Sequence, residues 1–132
     1  MALNKFEEYK NKTTSNKLFN KLFEARDFAH FAHLEAAKKS YPEHKALNDF
    51  YDAIVGLADD LYETYAGQYG LLTLERKLNI SSSEPIEYFQ LLGKELIELH
   101  AVFSEKDTHL HNILDEIVAL VYHTLYKLKY LK

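Results

Sequence analysis

Residues 25–67, ARDFAHFAHLEAAKKSYPEHKALNDFYDAIVGLADDLYETYAG, decide how this chain is read. They read as two long helices joined by a tight turn at Ser40-Tyr41-Pro42. The proline pushes Tyr41 out of the α region and ends the first helix there. Along the pair lie His30, His33, His44, Asn48, Asp52, Asp59 and Glu63, spaced so that most could meet on one side of a helical hairpin. The remaining chain reads as the other half of a bundle that holds this hairpin in place.

Working outward, Asn11 to Ser15 (NKTTS) reads as a break, leaving residues 1–14 as an arm or a short helix. Thr14 or Ser15 can cap the helix that follows. That helix runs to about Lys39, with a buried stripe on Leu18, Leu22, Ala25, Ala29 and Ala36. His33 falls on the stripe and His30 beside it. The second helix is expected from Pro42 or Glu43 to about Tyr65, with Gly67 as its C-cap. Its apolar side is Leu47, Ile54, Ala58, Leu61 and Tyr65, and its polar stripe runs from His44 to Glu63.

Gln68 to Ser83 is the longest connection and has room for one short helix around Leu71 to Leu78. A connection of that length suggests a crossover running the length of the molecule. A third helix starts at Ser83 or Glu84 with Pro85 in its first turn, where a missing N–H costs nothing. Its core line is Ile86, Phe89, Leu92, Leu96, Leu99 and Phe103. After a turn at Ser104 to Lys106, Asp107 is a good N-cap for a fourth helix running to the end. Hairpin, long crossover, hairpin is the wiring of a ferritin-like four-helix bundle. The expectation is an all-α protein with residues 1–132 as one domain.

Composition agrees. The chain of 132 residues is 47% apolar, with four glycines and two prolines, as a helical globular domain requires. It contains no cysteine, which excludes disulfides, thiolate metal sites and a cysteine nucleophile. The start, MALNKFEEYKNK, lacks the apolar core of a signal peptide, and no apolar run reaches about 18 residues. A soluble protein of the cytoplasm is expected. A net charge of −4 with intermixed signs argues against a protein built to grip nucleic acid backbone. Phosphate-binding loops and nucleophile elbows are absent. Ten tyrosines and eight phenylalanines without a tryptophan suit helix seams and subunit interfaces.

Imidazole and carboxylate together suit iron, zinc or manganese, and bundles build such sites from facing helices. In that reading His33, His44, Asp59 and Glu63 hold the metal, with His30, Asn48 and Asp52 as further candidates. The other reading is a solvated face, since a helix packed on one side carries a polar stripe in any case. The Glu-x-x-His pair of an intrasubunit di-iron centre is missing, which argues against such a centre. His111 and Asp115, four apart on the fourth helix, read as a surface pair, and His100 as a partner for helix carbonyls.

The hairpin resembles that of the mini-ferritins, the DNA-binding proteins from starved cells. Their pattern is a histidine late in the first helix, then a second histidine followed by acids at about +4, +15 and +19. His44, Asp59 and Glu63 match without adjustment, and His33 matches with one residue deleted in the turn. The acid at +4 is replaced by Asn48, with Asp52 one turn later as a substitute, and Leu34 stands where the family has tryptophan. The resemblance implies an iron site between subunits, hence a homo-oligomer, either a dimer or a twelve-subunit shell. It also implies oxidation of Fe(II) if two ions bind together. The hairpin and the fourth helix are also similar to a family of small uncharacterised bacteriophage proteins. That similarity leaves a second class of function: a metal-free, phage-encoded helical scaffold binding a host or virion protein.

Overall fold

The computed structural model describes residues 5–131, with side chains described from residue 14 onward. It contains four long α-helices and, among the described residues, no strand. They are α1 (Lys5–Ala36), α2 (Tyr41–Tyr69), α3 (Pro85–Glu98) and α4 (Thr108–Tyr130), with a 3-10 turn at Leu99–Val102 between the last two.

Each boundary has a local cause. Ser40 sits in extended backbone (φ −159°, ψ 120°) and its hydroxyl accepts from the Glu43 N–H, so α2 is capped as Pro42 enters its first turn. Gly70 ends α2 at φ 94°, in the left-handed region where a side chain would be strained. The helix is thus one turn longer than Gly67 suggested. Pro85 opens α3 as expected.

Two expectations are corrected. The break at residues 11–15 does not form: α1 runs unbroken from Lys5. Thr13, Thr14 and Ser15 are weak helix formers, each worse than alanine by roughly half a kcal/mol. That deficit is small beside the burial next to it, for Leu18, Phe19 and Leu22 are fully enclosed and Ser15 is buried with them. Residues 1–4 of the expected arm lie outside the described residues. The short helix at residues 71–78 is also missing, and the connection from Gly70 to Glu84 is irregular. It is held at its start by the Leu72 N–H donating to the Tyr62 hydroxyl.

Pairwise contacts fix the chain path. Phe19 meets Tyr62, and His33 meets His44, so α1 and α2 are antiparallel. Lys127 reaches Asp49 and Tyr69 reaches Asp107, so α4 runs antiparallel to α2 as well. Tyr122 lies against Gly93 and Asp115 against His100, which sets α3 antiparallel to α4. The connection therefore returns along the molecule, and α3 runs parallel to α2. Going round the core, the order is α1, α2, α4, α3, which places α1 and α4 at opposite corners.

The core is aromatic at its centre. Phe50 and Phe89 meet edge to face at 4.8 Å, and Phe28 stacks on Tyr88 at 3.7 Å. Burial pushes the Tyr88 hydroxyl well above the ordinary tyrosine range.

Candidate functional site

The histidines of the hairpin come together at its turn end. His33 is buried and its Nδ1–H donates to the His30 carbonyl at 2.5 Å. The His44 Nδ1–H donates to the His33 carbonyl at 2.6 Å, across the turn from α2 to α1. The His33 and His44 rings are 4.9 Å apart, the His30 and His33 rings 5.5 Å, and Tyr51 stacks on His30 at 4.4 Å. The result is a ladder of flat rings along the seam of α1 and α2, locked by two bonds to backbone.

The acids do not join them. Asp59 is fifteen residues from His44 and Glu63 nineteen, which at about 1.5 Å per residue is roughly 22 and 28 Å along α2. Asp59 is exposed beside Phe23, Arg26 and Val55, and Glu63 is exposed one turn on. Asn48 donates to Asp52 at 3.3 Å. Among the described residues of one chain, no group of three or more histidine, aspartate or glutamate side chains is placed to hold a metal ion. Within one chain His33 and His44 therefore stand apart from Asp59 and Glu63, and the intersubunit site that the resemblance implies would take its acids from a second copy.

The opposite end carries a network that spacing did not suggest. Asp107 takes the N-cap place of α4, yet its carboxylate makes no cap bond. It accepts instead from the Gln68 amide at 2.9 Å and from the Tyr69 hydroxyl. The same Gln68 accepts from His109 at 2.7 Å. Burial alone would raise the Asp107 carboxyl, but the Tyr69 and Gln68 hydrogen bonds, with His109 and His111 nearby, hold it below the ordinary carboxylate value. The bond to Asp107, with burial behind it, pushes Tyr69 up to about 12. These contacts clasp the end of α2 to the start of α4. Asp115 pairs with His100 at 2.6 Å, not with His111, and His100 also donates to the Leu96 carbonyl as expected of a helix-end histidine.

Beyond these networks, one concave surface stands out. A cleft of about 420 Å³ lies between the end of α1 and the last residues of the crossover. Phe28, Phe31, Ile80 and Pro85 form its apolar lining, and Glu35, Glu43, Glu84 and Lys39 its rim. Phe31 is 54% exposed and Leu34, three residues on, 57% exposed. Phe31 lines the cleft and Leu34 follows one turn on, so two large apolar side chains stand uncovered at this end of α1, as surfaces kept for contacts do. The only sequence signal for it was that Phe31 and Leu34 fall off the buried stripe of α1.

A family described as a family of unknown function, DUF5856, matches residues 33–128, nearly three-quarters of the chain. The chain belongs to this family. The matched span of this DUF5856 chain begins at His33 and takes in α2, the crossover, α3 and most of α4. The chain is also similar to an uncharacterised 14.6 kDa protein of the mobD-ri intergenic region of Enterobacteria phage T4. The two are 24% identical over 132 residues, covering 97% of this chain and 98% of the phage protein. No solved structure matches. The resemblance to bacteriophage proteins is thereby supported, and that to the mini-ferritins is not. No helix among the described residues is long and apolar enough to cross a membrane.

Proposed function

We propose that this chain is a bacteriophage helical interaction protein that captures an apolar segment of a host or virion protein. In this reading its four helices keep a ferritin-like wiring as a scaffold, and it works in the cytoplasm of the infected cell. The observation that carries it is the pairing of exposed Phe31 and Leu34 with the cleft lined by Phe28, Ile80 and Pro85. Three glutamates against one lysine on the rim favour a segment whose apolar side chain is flanked by basic residues. The match to DUF5856 and the likeness to a T4 protein support the phage setting.

A second reading rests on His33 and His44. With each Nδ1–H given to a backbone carbonyl, both Nε2 atoms are free to act as ligands, the pattern that orients metal-binding histidines. Iron, zinc or manganese held there would need carboxylates from a second copy, since Asp59 and Glu63 of the same chain are out of reach.

One experiment separates the two. Wild type, Phe31→Asp/Leu34→Asp and His44→Ala/Asp59→Ala are immobilised against host and phage proteins, and metal content is measured after anaerobic Fe(II) loading. The first reading expects a partner bound by wild type and by the histidine variant, and lost with the Phe31/Leu34 variant. Iron in whole-number ratio to chain, lost only in His44→Ala/Asp59→Ala, would sink it in favour of the second.

A further inference from the structure

The corner opposite the cleft carries a different surface. On α4, Tyr122, Tyr126 and Tyr130 are 40%, 55% and 67% exposed. At about 100° per residue these three, with Asp115 and Ala119, fall within roughly 80° of one another. The tyrosines form one ridge. The hydroxyl end of the Tyr122 ring lies against Gly93 of α3, and the Tyr126 and Tyr130 rings pack together at 5.4 Å. Exposed Ile97 stands one turn beyond Gly93 on the same face of α3, and exposed Leu131 ends the ridge. The core uses none of these side chains in full, so their packing in the folded chain does not explain three rings in a row.

We propose that this face joins two copies of the chain, with their α4 helices antiparallel about a two-fold axis near Tyr122. The pattern along α4 is self-complementary in that sense only. In an antiparallel pair, the small side chain of Ala119 falls opposite Tyr126 of the other copy. Asp115, whose side chain is 64% exposed, falls opposite Tyr130 and next to Lys129. A parallel pair would set aspartate against aspartate and ring against ring, and like charges face to face are unfavourable. Lys127 pairs with Asp49 of α2 within its own chain, and Asp115 meets His100 through Oδ1 alone, which leaves Oδ2 of its exposed carboxylate for the pair.

Area sets the strength. A tyrosine presents roughly 200 Å², so the exposed parts of the three rings come to about 320 Å² per copy. Ile97 and Leu131 raise this to about 500 Å², or about 1,000 Å² for both copies, the lower end of specific interfaces. An area at this end of the range is that of a weak, reversible pair. The pair leaves Phe31 and the α1 wall of both clefts uncovered, because α1 lies at the opposite corner, and so presents two docking sites to a partner with repeated copies.

Particle mass of the full chain is measured by light scattering from about 1 to 200 µM, the range in which an interface of this size associates. The expected result is a reversible change from one chain to two. Tyr126→Glu and, independently, Tyr130→Glu should hold the chain as a monomer across the range with unchanged helical circular dichroism. Lys129→Glu should raise the dissociation constant roughly tenfold by placing two acids together. Phe31→Asp/Leu34→Asp should dimerise like wild type, whether or not the cleft binds a partner. A wild-type monomer at the highest concentration, or a dimer that both tyrosine variants leave intact, overturns the proposal.

Discussion

Gly93 is the position where the packing of α3 on α4 makes the sharpest quantitative demand. A Cβ placed there would lie 2.7 Å from Tyr122 Cζ, 2.8 Å from its hydroxyl oxygen and 3.1 Å from Cε2. Ordinary contact is about 3.5–4.0 Å, so the ring end would have to swing outward by roughly 1 Å. Because Tyr122 is 40% exposed, it has room to do so. A side chain driven off its rotamer costs about 0.5–1.5 kcal/mol. Against this, alanine in a helix interior is better than glycine by about 1 kcal/mol. Gly93→Ala alone should therefore change stability by less than about 0.5 kcal/mol, since the two effects nearly cancel. In a Tyr122→Ala background the obstacle is gone, and the same substitution should stabilise by about 1 kcal/mol. The assay is a four-variant urea-unfolding cycle, run with Tyr126→Glu throughout so that self-association does not enter the free energies. An equal gain from Gly93→Ala in both backgrounds would refute the claim that the Tyr122 ring occupies the space over this glycine.

Two further outcomes follow from single residues. The folded Asp107 carboxyl is held below its ordinary value, so its contribution to stability is present above the unfolded carboxylate range and is lost as pH falls through the folded value. Asp107→Asn should flatten the acid limb of stability against pH below about 4, and an unchanged limb in thermal melts would contradict the clasp. The Ser40 hydroxyl accepts from the Glu43 N–H at 3.3 Å, so Ser40→Ala should cost about 1 kcal/mol, read as a lowered urea midpoint with the slope unchanged.

The places of the turns were legible in the sequence because their chemistry is local, although Tyr41, expected outside the α region, is the first residue of α2. Ser40 and Pro42 act on backbone within three residues, and Pro85 opens α3 through its own ring. The core lines on α2 and α3 were legible too, since burial repeats with the helical period. The continuity of α1 through Thr13 to Ser15 was not: weak local propensity was overruled by the burial of Leu18, Phe19 and Leu22 just beyond it. Asp107 shows the same limit from the other side. Its residue type announces a cap, and its carboxylate is taken by Gln68 and Tyr69, nearly forty residues away.

The candidate sites divide along the same line. The sequence alone determined that His30, His33 and His44 share the turn end of a hairpin, and that Asp59 and Glu63 share one face of α2. Angular position on a helix follows from numbering. Rise along the axis follows from numbering too, and it sets these two groups apart within one chain. Only the tertiary structure decided that the His33 and His44 rings meet across the turn, and that Asp107 closes on Gln68 and Tyr69. It also decided that Phe31, Leu34 and the α4 tyrosines stay uncovered. A helix shows in its own sequence which side chains are apolar, but which of them find a partner depends on where the other helices, and the crossover between them, come to lie.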